Sequence, residues 1–195
     1  MLFSIALLAQ TVVDATVPIH KRLRNPTAGQ SGSIGRKLPI QVALEFPSEK
    51  SNSDGDVKLV FVLTNVGHQD LIIPISPHPG DFEPPDQNQP YTVQHLHLYL
   101  TSTKVQDSAL PGGADLFGNE SHPTTLLALA PGKSVRVLAW AKMPKELAPE
   151  PSTAASIFAH AVLDLEALKT VRGQTISNSD EIGSSSSPGY KLKLP

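Results

Sequence analysis

Apolar and polar residues alternate from residue 40 to 46. Ile40, Val42, Leu44 and Phe46 share one face, and Gln41, Ala43 and Glu45 the other. That is the period of a strand with one side buried. The run LVFVLTN at 59–65 differs, because Leu59, Phe61 and Leu63 on one face are backed by Val60 and Val62 on the other. Such a strand needs cover on both sides, from an opposing sheet on one and from a long loop or a partner on the other. It ends at Asn65-Val66-Gly67 and is followed by an apolar run at 71–75, which predicts strand, turn, strand: a hairpin at the centre of an antiparallel sandwich.

Further along, residues 91–101 place Leu96, Leu98 and Leu100 on one face with Thr92 and Gln94. Tyr91, Val93, His95, His97 and Tyr99 take the other. Residues 124–129 and 134–143 read as strands flanking Ala130-Pro131-Gly132-Lys133, the composition of a type II turn. Residues 156–165 begin as a strand, with a helical turn expected over 164–169 and a late strand over 173–177. Between these elements, 48–56 is a polar turn closing on Asp54-Gly55. Residues 76–90 form a Pro-rich excursion, 103–123 a second loop containing Pro111-Gly112-Gly113, and 144–152 a third Pro-rich connection with one helical turn over 145–148.

The expected class is therefore all-β: an antiparallel β-sandwich of about seven or eight strands with long Pro-rich loops. The chain divides into a possible export signal (1–15), a linker (16–38) with the basic cluster Lys21-Arg22-Leu23-Arg24, the sandwich domain (39–178), and a Ser-rich tail or edge strand (179–195). The apolar run 2–9 is too short to span a bilayer, and Val13-Asp14-Ala15 suits signal cleavage, which points to a periplasmic or extracellular location with no transmembrane span. The competing expectation is an N-terminal strand over 5–13 packed on the domain.

Composition narrows the function classes. A length of 195 residues, 39% hydrophobic content, 18 Pro and 13 Gly suit one turn-rich domain. A net charge of −2 gives no reason to expect nucleic acid. The absence of Cys removes disulfides, thiolate nucleophiles and blue-copper chemistry. Gly132-Lys133-Ser134 lacks the earlier glycine and following helix of a phosphate loop, and 52–56 lacks the ends of a calcium loop. There is no G-x-S-x-G or H-E-x-x-H, the loop acids Glu45, Asp81, Glu83 and Asp86 are scattered, and Asn119-Glu120-Ser121 is a formal glycosylation sequon. No enzyme and no cofactor are expected.

Thr64-Asn65-Val66-Gly67 between strands, with Leu129-Ala130-Pro131-Gly132-Lys133-Ser134 before another, resembles the immunoglobulin-like modules of bacterial envelope proteins. The intracellular proteinase inhibitor family of bacilli and adhesion-type domains share that layout. The resemblance covers roughly residues 39–178 and implies a fold, with no site residue carried over.

The leading expectation is a non-enzymatic binding or structural module of the cell envelope, contacting a protein or an envelope polymer through the loops at 76–90 and 103–123, with Phe82 and Phe117 as apolar anchors. The competing role for both Phe side chains is to pin their own loops to the core. A proteinase inhibitor presenting a Pro-stiffened loop is the second reading. A periplasmic Cu- or Zn-binding protein is the third: His95 and His97, about 7 Å apart on one strand face, would need a third donor from His68, His78 or His122.

Overall fold

The computed structural model describes residues 11–16, 36–46, 56–78, 90–103, 105–119, 125–142 and 156–191. They form eleven strands: β1 (Thr11–Asp14), β2 (Ile40–Glu45), β3 (Asp56–Asn65), β4 (Leu71–Pro74), β5 (Tyr91–Ser102), β6 (Val105–Gly118), β7 (Leu126–Leu129), β8 (Ser134–Lys142), β9 (Ser156–Val171), β10 (Gln174–Ser186) and β11 (Tyr190–Lys191). The architecture is all-β. Nine strands make one sheet in the order β10-β9-β5-β6-β8-β3-β2, with β1 on β8 and β11 on β9, while β4 and β7 form a separate pair. The ladders are antiparallel except that of β1 with β8.

The long sheet curls until its ends nearly meet. Lys37, just ahead of β2, bridges Ser184 of β10. Leu38 N–H donates to Ser184 O at 2.9 Å, and Ser184 N–H to Arg36 O at 3.0 Å. Beyond that bridge, side chains take over from the ladder. The Ser185 hydroxyl donates to Ile40 O at 2.6 Å, and Leu44 N–H donates to the Tyr190 hydroxyl at 3.0 Å. The Ser-rich residues read as flexible thus belong to β10 and its seam. Short hydroxyl side chains can satisfy carbonyls where two strands approach without full pairing.

The inward face holds the core: Ile40, Val42 and Leu44 of β2, Leu59, Phe61 and Leu63 of β3, Leu96, Leu98 and Leu100 of β5, Leu116 of β6, Val135, Val137, Ala139 and Ala141 of β8, and Ile157, Ala159, Ala161 and Leu163 of β9. The alternation read from the sequence sets these positions in β2, β3 and β5. Val60, facing outward on β3, is only 2% exposed. Register places Glu45 beside Val60 on one flank and Arg136 beside Val62 on the other. Arg136 and Glu45 form a two-pronged ion pair across the strand between them. The methylene stem of Arg136 gives that apolar outer face part of the cover it requires.

The expected hairpin of residues 59–65 with 71–75 is absent. β3 pairs with β2 and β8, whereas β4 pairs with β7, so both the 66–70 turn and the 130–133 turn carry the chain from one sheet to the other. Asn65 fastens the two turns together and is fully buried. Its Nδ2 donates to Gln69 O at 2.8 Å and Leu129 O at 2.7 Å, and its Oδ1 accepts from Gly67 N–H at 2.9 Å. Its own N–H donates to Lys133 O at 3.0 Å, and its carbonyl accepts from Gly132 N–H at 2.8 Å. Gly132, at φ 73°, fits the type II turn, closed by Lys133 N–H to Ala130 O at 3.0 Å.

Within the expected loop at 103–123, residues 105–118 are corrected to a strand: β6 pairs with β5 on both sides of a register shift, and at that shift Gly112 and Gly113 cross to pair with Ala141 and Trp140 of β8. Pro and Gly, read as loop formers, here make the bend that joins the two halves of the barrel wall. The expected helical turn at 164–169 is likewise strand, within β9, which reaches a two-residue hairpin at Arg172 (φ 51°) and Gly173 (φ 77°). These segments raise the strand count above the seven or eight expected. The helical turn at 145–148 lies outside the described residues.

A Cβ on Gly113 would sit 2.0 Å from Leu98 O, and one on Gly112 2.4 Å from the Ala141 Cα. Gly113→Ala is expected to cost at least about 3 kcal/mol in urea denaturation. Gly132→Ala, where a Cβ meets nothing within 4 Å, costs about 1 kcal/mol from backbone strain alone. Equal losses would place the constraint in backbone conformation rather than in the close approach. Asn65→Ala, which strands two carbonyls and one N–H, is expected to lose about 2–4 kcal/mol in the same experiment. A loss below about 1 kcal/mol would remove Asn65 from its role as the clasp.

Candidate functional site: an imidazole and carboxylate network on the outer sheet face

The inward leucines of β5 leave His95, His97, Tyr99 and Thr101 outward. Register brings β6 and β9 alongside: His97 lies opposite Asp115 and Val162, His95 opposite Phe117 and Asp164, and Tyr99 opposite His160. Three adjacent strands therefore gather five ionisable side chains on one face, His95, His97, Asp115, Asp164 and Glu166.

His97 holds two carboxylates. Its Nδ1 lies 2.5 Å from Asp115 Oδ1 and its Nε2 3.2 Å from Asp164 Oδ2, so it joins β6 to β9 across β5. Burial pushes its pKa down, but the hydrogen bonds and charges of Asp115 and Asp164 outweigh that and raise it to about 9. His97 is consequently an imidazolium at neutral pH, donating from both nitrogens. His95 Nε2 meets Glu166 Oε2 at 2.8 Å. There burial dominates over the attraction of Glu166 and, helped by the neighbouring His97, holds the pKa below the ordinary value. His95 is the neutral partner of the pair, its ring centroid 5.6 Å from that of His97 and 4.5 Å, edge to face, from Phe117.

A second group continues the face. His160 accepts and donates between two hydroxyls, Thr101 Oγ1 at 2.7 Å from Nε2 and Ser186 Oγ at 2.8 Å from Nδ1. Burial lowers its pKa, and the Tyr99 ring stacks on it at 4.9 Å. Burial, with the charges of Glu181 and Asp164, raises the Tyr99 pKa.

The residues singled out from the sequence fare differently. His95 and His97 share the outer face as their spacing requires, His97 engaged by carboxylates at both nitrogens and His95 at Nε2. Among the described residues no group of three or more His, Asp or Glu side chains is disposed to hold a metal ion. His122 and Phe82 lie outside the described residues. Phe117 is in β6 rather than a loop, is 8% exposed, and packs against His95, while its backbone bridges Ser76. Asp115, Asp164 and Glu166 were not singled out. Asp115 falls in a stretch read as a loop and Asp164 in one read as a helical turn. The usable signal is the spacing of Asp164 and Glu166, two apart on one strand as His95 and His97 are on another.

No protein-family model and no curated protein matches the chain. A solved structure, the crystal structure of a protein from Archaeoglobus fulgidus, is similar at 9% identity and a TM-score of 0.25, over 80% of this chain and 99% of that one. A likeness of that size carries no argument about this chain.

Because the folded-state pKa of His97 lies above its ordinary value of 6.5, folding takes up a proton between the two. The stabilisation is complete below about pH 6.5 and is lost as pH rises through about 9. With Asp115 40% exposed and the pair partly screened, a loss of about 1–2 kcal/mol is expected between pH 6.5 and 9.5. His97→Gln should abolish that difference in urea denaturation at the two pH values. An unchanged slope in the variant would assign the pH dependence elsewhere.

Proposed function

We propose that the chain is a non-enzymatic binding module, an immunoglobulin-like β-sandwich exported to the periplasm or beyond and acting at the cell envelope, and that the outer face of β6, β5 and β9 is its contact surface. One observation carries the reading: on three paired strands His97 joins Asp115 to Asp164 and the adjacent His95 meets Glu166, so three carboxylates share one face with a single imidazolium. With His95 neutral, this face has an excess of negative charge. It suits a protein or envelope polymer that presents ammonium, guanidinium or hydroxyl donors. A static role is supported by the engagement of His97 at both nitrogens and by its proton, which unfits it as a base at neutral pH.

Export is supported by the apolar run at 2–9. Among the described residues no helix is long and apolar enough to cross a membrane. Cleavage after Ala15 would remove β1, so sequencing the N-terminus of the protein recovered from fractionated cells reads both compartment and processing.

A photo-crosslinking residue in place of Val162, opposite His97 on β9, is expected to capture a partner in intact cells, and one in place of Ile72, exposed on β4, is not. Adding Asp164→Asn and Glu166→Gln should cut the yield roughly two- to five-fold. Capture indifferent to these charges, or equal at both positions, would exclude this face.

A further inference from the structure

The strand β8 has two edges, and only one is filled by a single neighbour. β3 pairs with it from Lys142 to Ser134. On the other edge β6 reaches only Ala141 and Trp140, through Gly113 and Gly112. The remaining stretch, Val135 to Leu138, is taken by β1, in register Thr11 to Val135 through Asp14 to Leu138 and in parallel. The stretch is a slot four residues long, with the Gly112-Gly113 crossing beyond one end and the 130–133 turn beyond the other.

What fills the slot is held by little. β1 is four residues long, and of its side chains only Val13 is buried, at 8% exposure, while Val12 is 55% exposed. Ala15 N–H donates to Leu138 O at 3.0 Å, and the strand then stops because the Asp14 carboxylate accepts from the Thr16 N–H and hydroxyl at 3.0 and 2.5 Å. Parallel pairing over so short a length is the weaker kind. The slot itself is rigid, with Val135 and Val137 fully buried. A sheet edge of fixed backbone groups beside a recess for one alternate side chain is the arrangement by which proteins bind extended peptides.

We propose that the β8 edge over Val135–Leu138 is a strand-addition site for an extended segment of another polypeptide bearing a Val-sized residue, and that Thr11–Asp14 is its displaceable internal occupant. The sequence seated there states the partner's chemistry: an apolar residue of valine size facing in, its neighbours facing solvent, and an acidic residue closing the strand. The occupant belongs to the same chain, so it competes intramolecularly with any added strand. A partner strand gains access when β1 is unseated, and cleavage after Ala15 would unseat it permanently. The site is separate from the carboxylate face and stands whether or not that face binds anything.

The test uses the full chain and a fluorescent peptide copying residues 10–17, followed by anisotropy. Val13→Asp unseats β1, and this variant is expected to bind the peptide about tenfold or more tightly than the unsubstituted chain, where the tethered strand competes. A peptide carrying the same Val13→Asp change should not bind either chain. Adding Asp164→Asn should leave peptide affinity unchanged, which separates this site from the outer-face network. Equal affinity for both chains, or no binding to a Val13→Asp chain that keeps the near-ultraviolet dichroism of Trp140, overturns the proposal. Loss of that signal in both Val13→Asp and the milder Val13→Ser overturns it as well, because β1 would then be part of the fold rather than an occupant.

Discussion

The fold depends on how Asn65 uses its side chain. At the end of β3 the chain must leave a long sheet and enter a short one, and after β7 it must make the return crossing beside it. Backbone groups at such crossings have lost their ladder partners and are buried, where an unmade hydrogen bond costs more than a made one contributes. A carboxamide is the one short side chain that offers two donors and an acceptor together. Asn65 spends them on Gln69, Leu129 and Gly67, while its own backbone groups hold Gly132 and Lys133. Both crossings are thereby tied to one buried side chain, and the β4-β7 pair is fixed against the barrel wall.

The wall follows from similar accounting. A sheet that curls must bend somewhere and meet itself somewhere. The bend falls at Gly112-Gly113, where a side chain would collide with the backbone of β5 or β8, and the meeting falls at Ser184, through its backbone groups, and at Ser185, whose hydroxyl stands in for a ladder bond. Once the curl is made, the inward side is dry and apolar, and β5, β6 and β9 present their outward positions as a continuous face. The ionised network of His97 exists because β9, distant in sequence, is brought into register with the consecutive strands β5 and β6 there.

Elements with one buried face were legible in the sequence because alternation is a local property: β2, β3 and the leucine face of β5 follow from residue types alone. Partners were not legible. A polar turn after an apolar run looks the same whether the next strand pairs with the last or departs to another sheet, so Asn65-Val66-Gly67 suggested a hairpin that does not form, and Pro131-Gly132 makes its type II turn with no local sign that it crosses between sheets. In β6, Pro111 and two glycines interrupt the pattern at the place where the bend requires them, which made a strand look like a loop. β9 past Leu163 carries charge where its hairpin extends toward solvent, and so lost the apolar signal. The site divides along the same line: His95 and His97 share a face by spacing, whereas their carboxylates lie on strands whose register only the folded sheet determines.

The position of β8 connects these points. Its inward residues, Val135, Val137, Ala139 and Ala141, are all fully buried, and its outward Arg136 reaches across β3 to Glu45, helping to cover the second apolar face of that strand. β8 thus supports its neighbour on both sides of the sheet. Its far edge could have been closed by β6 along its whole length, but the glycine bend that joins β6 to β5 leaves only two residues for β8. The same bend that closes the barrel leaves four residues of β8 without β6. Closing the wall in this way creates the slot that β1 fills, and the opening is a geometric consequence of the bend rather than an accident of the N-terminal sequence.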